Sequence, residues 1–157
     1  MLSDEIKAEI LELRGAYPDH RSAVLPALRL AQQEHGGWLP SEAIDALAVL
    51  LDLPAAYLGA VASFYSMLHR APVGRHRIYV CTNVSCSLLG AEHVLDVLAA
   101  RLGIRPGETT PDGQFSLFEA ECLGSCGTAP MMQVDETYHE SLTESKIDQI
   151  LAELRER

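Results

Sequence analysis

The stretch Arg77-Ile78-Tyr79-Val80-Cys81-Thr82-Asn83-Val84-Ser85-Cys86 decides how the second half of the chain is read. Its opening residues form a short apolar strand that runs directly into a cysteine. A second segment repeats the arrangement. Phe115-Ser116-Leu117-Phe118-Glu119-Ala120 alternates as a strand does, and Cys122-Leu123-Gly124-Ser125-Cys126 follows it. These four residues are the only cysteines in the chain, and thirty-five residues separate Cys86 from Cys122. Both pairs fall just after strand ends, where loops from neighbouring strands can meet. Thr82, Asn83, Ser85, Gly124 and Ser125 are small or polar, so the pairs are expected on loops whose N–H groups turn toward the sulfurs.

Two chelating pairs suit a [2Fe–2S] cluster, in which thiolates are the usual ligands and each pair holds one iron. The candidate ligands are Cys81, Cys86, Cys122 and Cys126. Zinc also accepts four cysteines, but its knuckles are commonly spaced more closely than these. No Cys-x-x-Cys is present, which weakens a thioredoxin-type dithiol. On spacing alone, a structural zinc site and a redox disulfide stay open. None of the six histidines pairs with a cysteine as a Rieske centre requires.

Outward from this centre, the last third of the chain supplies more sheet and a helix. Met131-Met132-Gln133-Val134 reads as a strand, with Met131 and Met132 filling core, and Thr137-Tyr138-His139 as its return. Thr143 is a good cap for a helix over 144–155. A helix from about Leu88 to Leu102 ends at Gly103. Pro106-Gly107 and Pro111-Asp112-Gly113 are turns, and the Ala129–Pro130 bond is left open between cis and trans.

Before Gly74 the grammar is helical. The spacing predicts helices over 3–15, stopped by Gly15; 21–35, with Pro26 in its first turns; 42–51, capped by Ser41; and Pro54 to about Ala62. Trp38 and Phe64-Tyr65 are expected as core anchors or contacts to a partner. The expectation is an α+β chain with a helical bundle over 1–72 and a cysteine-bearing domain over 73–157.

Composition narrows the function. The chain has 157 residues and a formal net charge of -10, so a nucleic-acid partner lacks its basic footprint. Residues 1–75 carry nine acids against six Lys or Arg, and residues 76–157 carry thirteen against six, so the cysteine half is the more acidic. No GxGxxG or GxxxxGK is present, so no flavin or nucleotide site is assigned to this chain. The N-terminus lacks a basic region followed by an apolar one, and no apolar run is long enough to cross a bilayer. A cytoplasmic location without direct membrane insertion is expected.

Five stretches then carry a resemblance: Gln33-Glu34-His35-Gly36-Gly37-Trp38, Gly59-Ala60-Val61-Ala62-Ser63-Phe64-Tyr65-Ser66, Cys81 to Cys86, Pro106-Gly107-Glu108-Thr109-Thr110-Pro111-Asp112-Gly113, and Glu121 to Pro130. The chain resembles the 24 kDa-type, thioredoxin-like [2Fe–2S] subunit of bacterial respiratory NADH:quinone oxidoreductase (complex I). The resemblance implies one [2Fe–2S] cluster on Cys81, Cys86, Cys122 and Cys126, and a thioredoxin-like domain behind the helical bundle. It also implies a partner flavoprotein subunit that binds NADH and FMN, and a place on the cytoplasmic side of the inner membrane through the complex. Related subunits serve NAD(P)-linked hydrogenases and formate dehydrogenases, and the sequence does not separate these hosts.

Overall fold

The computed structural model describes residues 2–156 and divides the chain between Val73 and Gly74 into two compact units. The first unit is helical: α1 (Asp4–Ala16), a 3-10 turn (His20–Ala23), α2 (Val24–Glu34), α3 (Ser41–Leu51) and α4 (Ala55–Phe64). Ser3 starts α1 by accepting the N–H of Ile6 on its side chain, which satisfies one of the free donors of the first turn. Asp19 does the same for the 3-10 turn, accepting from Arg21. One apolar face from each helix closes a common core, with Ile10, Leu28, Leu47, Leu51 and Leu58 all fully buried. Each such side chain contributes about 1.5–3 kcal/mol by leaving water.

Local expectations differ from the structure at several points, and the helix expected over 21–35 begins only at Val24, after the 3-10 turn. Gly15 does not stop α1, which runs on to Ala16 and ends where Tyr17 turns extended. Ser41 is the first helical residue of α3 rather than its cap; Pro40 holds the cap position and offers no side-chain bond. Of the two expectations for Phe64, core anchor or partner contact, the core one does not hold. Phe64 is 81% exposed, edge-on to the exposed Tyr65 at 5.2 Å. Trp38 is half-buried.

The second unit is built on one four-stranded sheet. Its strands are β1 (His76–Cys81), β2 (Phe115–Ala120), β3 (Met132–Val134) and β4 (Thr137–His139), in the order β2-β1-β3-β4. β1 pairs parallel with β2, Ile78 opposite Leu117 and Cys81 opposite Ala120. β3 runs antiparallel to both β1 and β4. The parallel pair needs a long crossover, which α5 (Val84–Leu88) and α6 (Ala91–Leu102) supply. α7 (Glu144–Arg155) closes the unit, capped by Thr143, which accepts from the Lys146 N–H.

Alternation along β1 sorts its two faces. Ile78 and Val80 join Leu98 of α6, Leu117 of β2 and Ile147 and Leu151 of α7 in the main core. Tyr79 points the other way and stacks on Phe118, 5.2 Å between rings. The segment around Pro106–Pro111 does more than turn. Gly107 and Thr110 donate their N–H groups to Leu117 and Phe115, and Leu117 donates back to Glu108, so the outer edge of β2 is covered. Gly74 lies against Phe115 closely enough that a Cβ would sit 2.5 Å from its carbonyl carbon.

Candidate iron–sulfur site

The site is assembled at one end of the sheet. Cys81 is the last residue of β1, and its N–H is donated to the Met131 carbonyl at 3.2 Å. The next residue, Thr82, continues the parallel register by donating to Ala120 at 2.8 Å. The chain then rises through extended Asn83 into α5, a five-residue helix with Cys86 at its centre. The sequence reading expects a loop here. A helix of barely more than one turn shows no apolar period, and Gly90, at φ 99°, separates it from α6.

On the other side, the chain leaves β2 at Ala120 and reaches Cys122 two residues later. Gly124 adopts φ 80°, a left-handed conformation that an L side chain resists. Cys126 then opens a 3-10 turn, Cys126–Thr128, and the Ala129–Pro130 bond that follows is cis.

All four cysteines are free, and they divide into a buried and an exposed pair. Cys81 and Cys86 are buried with Ala91 and Met131, and Leu123 and Ala129 pack against them. Cys122 and Cys126 face outward. Burial pushes the Cys81 thiol up, but N–H groups of Asn83 and Leu123 and a bond with Cys86 outweigh it, so the thiol sits below its ordinary value. Burial, followed by the bond with Cys81, pushes Cys86 up to about 11, against the N–H of Met131.

These features fit a thiolate-ligated centre. Backbone donors from Asn83, Leu123 and Met131 already aim at the two buried sulfurs, which is how a protein offsets the charge of bound thiolates. Glu121 is exposed, and its charge opposes ionisation of Cys81.

The structure adds residues that the sequence does not mark. Tyr138 on β4 donates its hydroxyl to the Leu123 carbonyl at 2.6 Å, holding the second cysteine loop. Glu140 accepts the hydroxyls of Ser125 and Thr128, on either side of Cys126 in the chain. Met131 is expected only as core, yet its backbone serves both buried cysteines. No local pattern marks Tyr138 or Glu140, because each acts on residues 12 or 15 positions away.

The chain is similar to known proteins over most of its length. The family model described as thioredoxin-like [2Fe-2S] ferredoxin matches residues 10–155. The chain is 44% identical over 150 residues to an NADH-quinone oxidoreductase subunit of Rhizobium meliloti (strain 1021), covering 96% of this chain and 89% of the relative. It is 47% identical over 153 residues to NADH-quinone oxidoreductase subunit 2 of Thermus thermophilus, covering 95% and 84%. Among solved structures, NAD+-reducing [NiFe]-hydrogenase in its H2-reduced state shares the fold, with TM-score 0.75 and 24% identity over 85% of this chain. This chain spans only 22% of that longer one. With a family model matched from α1 into α7 and relatives at this identity across most of their length, the chain belongs to the thioredoxin-like [2Fe–2S] ferredoxin family.

Proposed function

We propose that this chain is the electron-transfer iron–sulfur subunit of the NADH-oxidising module of an NADH:quinone oxidoreductase. Cys81, Cys86, Cys122 and Cys126 would hold one [2Fe–2S] cluster, each pair taking one iron. The observation that carries the reading is the pairing itself: two buried thiols, at the end of β1 and in α5, and two exposed thiols on the segment after the adjacent parallel strand β2. The relatives named as subunits of NADH-quinone oxidoreductase support the choice of host.

When bound, a [2Fe–2S] cluster supplies a one-electron carrier, with a potential of about −400 mV in plant-type ferredoxins. The residues of this chain set its surroundings. Asn83, Leu123 and Met131 donate N–H groups toward the buried sulfurs and favour the more negative state. The buried pair excludes water from one side, and the exposed pair leaves the other side open toward a donor. Val84, Leu88 and Leu89 lie beside Cys86 in the chain and are exposed, Leu88 at 82%, which suits a surface covered by a partner.

That partner, on this reading, is a flavoprotein subunit carrying NADH and FMN; each electron the cluster accepts is one lost by the flavin. The bundle over 1–72 and the cluster domain over 73–157 would divide assembly and redox work between them. Among the described residues no helix is long and apolar enough to cross a membrane. Attachment to the cytoplasmic side of the inner membrane would therefore run through other subunits. The hydrogenase likeness supports the fold and keeps a diaphorase subunit of an NAD(P)-linked hydrogenase or formate dehydrogenase as the second host.

Anaerobic purification with iron, sulfide and zinc analysis, and EPR after dithionite reduction, tests the reading. About two irons and two sulfides per chain and a low-temperature signal of the reduced centre are expected. Stoichiometric zinc without sulfide, persisting through attempted reconstitution, would overturn it and leave a structural four-cysteine zinc module.

A further inference from the structure

Glu140 lies beyond β4, outside every stretch that carries the resemblance. Its side chain reaches the turn that presents Cys126. Oε1 accepts the Ser125 hydroxyl, and also the Thr128 hydroxyl at 2.6 Å. Those two hydroxyl oxygens are 2.8 Å apart, and Thr128 Oγ1 also lies 3.2 Å from the Ser125 carbonyl. The backbone is tied to the same place. Ser141 donates to the Thr128 carbonyl at 2.7 Å, Leu142 donates to Pro130 at 3.0 Å, and Lys146 Nζ donates to the carbonyl of Glu140 at 2.5 Å.

An ionised carboxylate only accepts hydrogen bonds, whereas a hydroxyl has one proton to give. Bonds from Ser125, then from Thr128, hold the Glu140 carboxyl below its usual range, so it is charged at neutral pH. Both hydroxyl protons are therefore taken by Glu140, or by the neighbouring Ser125 oxygens, and not offered to the Cys126 sulfur. The turn contributes a fixed negative charge in place of two donors. The buried pair has the opposite design, with N–H groups aimed at its sulfurs.

We infer that Glu140 is a positioning residue for the Cys126 end of the centre: it latches the Ser125–Thr128 turn and, by withholding two hydroxyl protons, keeps the potential of the bound cluster low. The inference rests on the reading of Cys81, Cys86, Cys122 and Cys126 as cluster ligands. Donors to cluster sulfurs and net charge are both levers on potential. Freeing the hydroxyls and removing the carboxylate both move it upward, because the reduced centre is the more negative one.

The test uses the full chain, reconstituted anaerobically with iron and sulfide, as wild type, Glu140→Gln, Glu140→Ala, and Glu140→Ala combined with Ser125→Ala and Thr128→Val. The readouts are iron and sulfide content, the midpoint potential from an EPR-monitored titration, and the rate of iron release to a chelator. In Glu140→Ala the midpoint rises and iron leaves severalfold faster than from wild type. In Glu140→Gln release stays slow, because the amide oxygen still accepts the hydroxyls, while the midpoint rises from the lost charge. Removing the hydroxyls as well reverses part of the rise seen in Glu140→Ala. A wild-type midpoint in Glu140→Gln, together with wild-type midpoint and release in Glu140→Ala, overturns the inference and leaves the ligand reading intact. Failure of the wild-type chain to form any cluster overturns both.

Discussion

At the scale of single residues, the four cysteines are legible because nothing else in the chain competes with them and their two pairs repeat behind two strands. What is not legible is their inequality. Cys81 and Cys86 are sealed in, with the N–H of Met131 supplied from the far side of the sheet end, while Cys122 and Cys126 remain open. Replacing Cys86 with Ala removes a proposed ligand from the sealed side, and Cys122→Ala removes a proposed ligand from the open side. Either variant is expected to lose the native EPR signal of the reduced protein; a full signal in either would break the ligand assignment. A second residue sets a pH response. Burial, then the charge of Lys146, holds the His139 imidazole below its ordinary value of 6.5. Above that value neither the folded nor the unfolded chain is protonated there. Below it the unfolded chain takes the proton first, so stability falls as pH drops from about 6.5 through the depressed value. Chemical denaturation of His139→Gln across about pH 5 to 7 should show a flatter dependence than wild type.

At the scale of elements, the sheet and both long helices of the second unit are readable from alternation and helical spacing, as β2, β4 and α7 show. The errors have local causes. Gly15 carries no steric demand and leaves α1 free to run past it. α5 is too short to display a period, and Leu88 and Leu89 read as the start of the next helix until Gly90 is seen at a positive φ. Contacts between segments are beyond reach as well, and Gly74 is the clearest case. It donates to Ser116 Oγ at 2.7 Å, and a Cβ there would lie 2.8 Å from the Ser116 nitrogen. The obstructing atoms are strand backbone and cannot rotate aside. Gly74→Ala is expected to cost about 1–3 kcal/mol of stability, measured as a shift in the urea midpoint at unchanged slope.

At the scale of the whole chain, each unit owns a separate core: Ile10, Leu28 and Leu47 in one, Ile78, Leu98 and Leu117 in the other. A domain with its own core can fold alone. A fragment over 74–157 should therefore unfold cooperatively by circular dichroism and accept a cluster with the EPR signature of the full chain; a molten fragment would show that the bundle is needed for folding. The cysteine pairs at the ends of β1 and β2 also bear on the unfolded chain. Thirty-five residues lie between Cys86 and Cys122, including the whole of α6. A cluster held by the four cysteines, as proposed, would tie that segment into a ring. A covalent tie across a loop of this size removes unfolded-state entropy equivalent to about 4 kcal/mol in the simplest chain model. Stripping the iron should therefore lower the melting temperature by roughly 10 °C in anaerobic calorimetry. The centre that carries electrons would then also serve as the clasp that limits how far the chain can open.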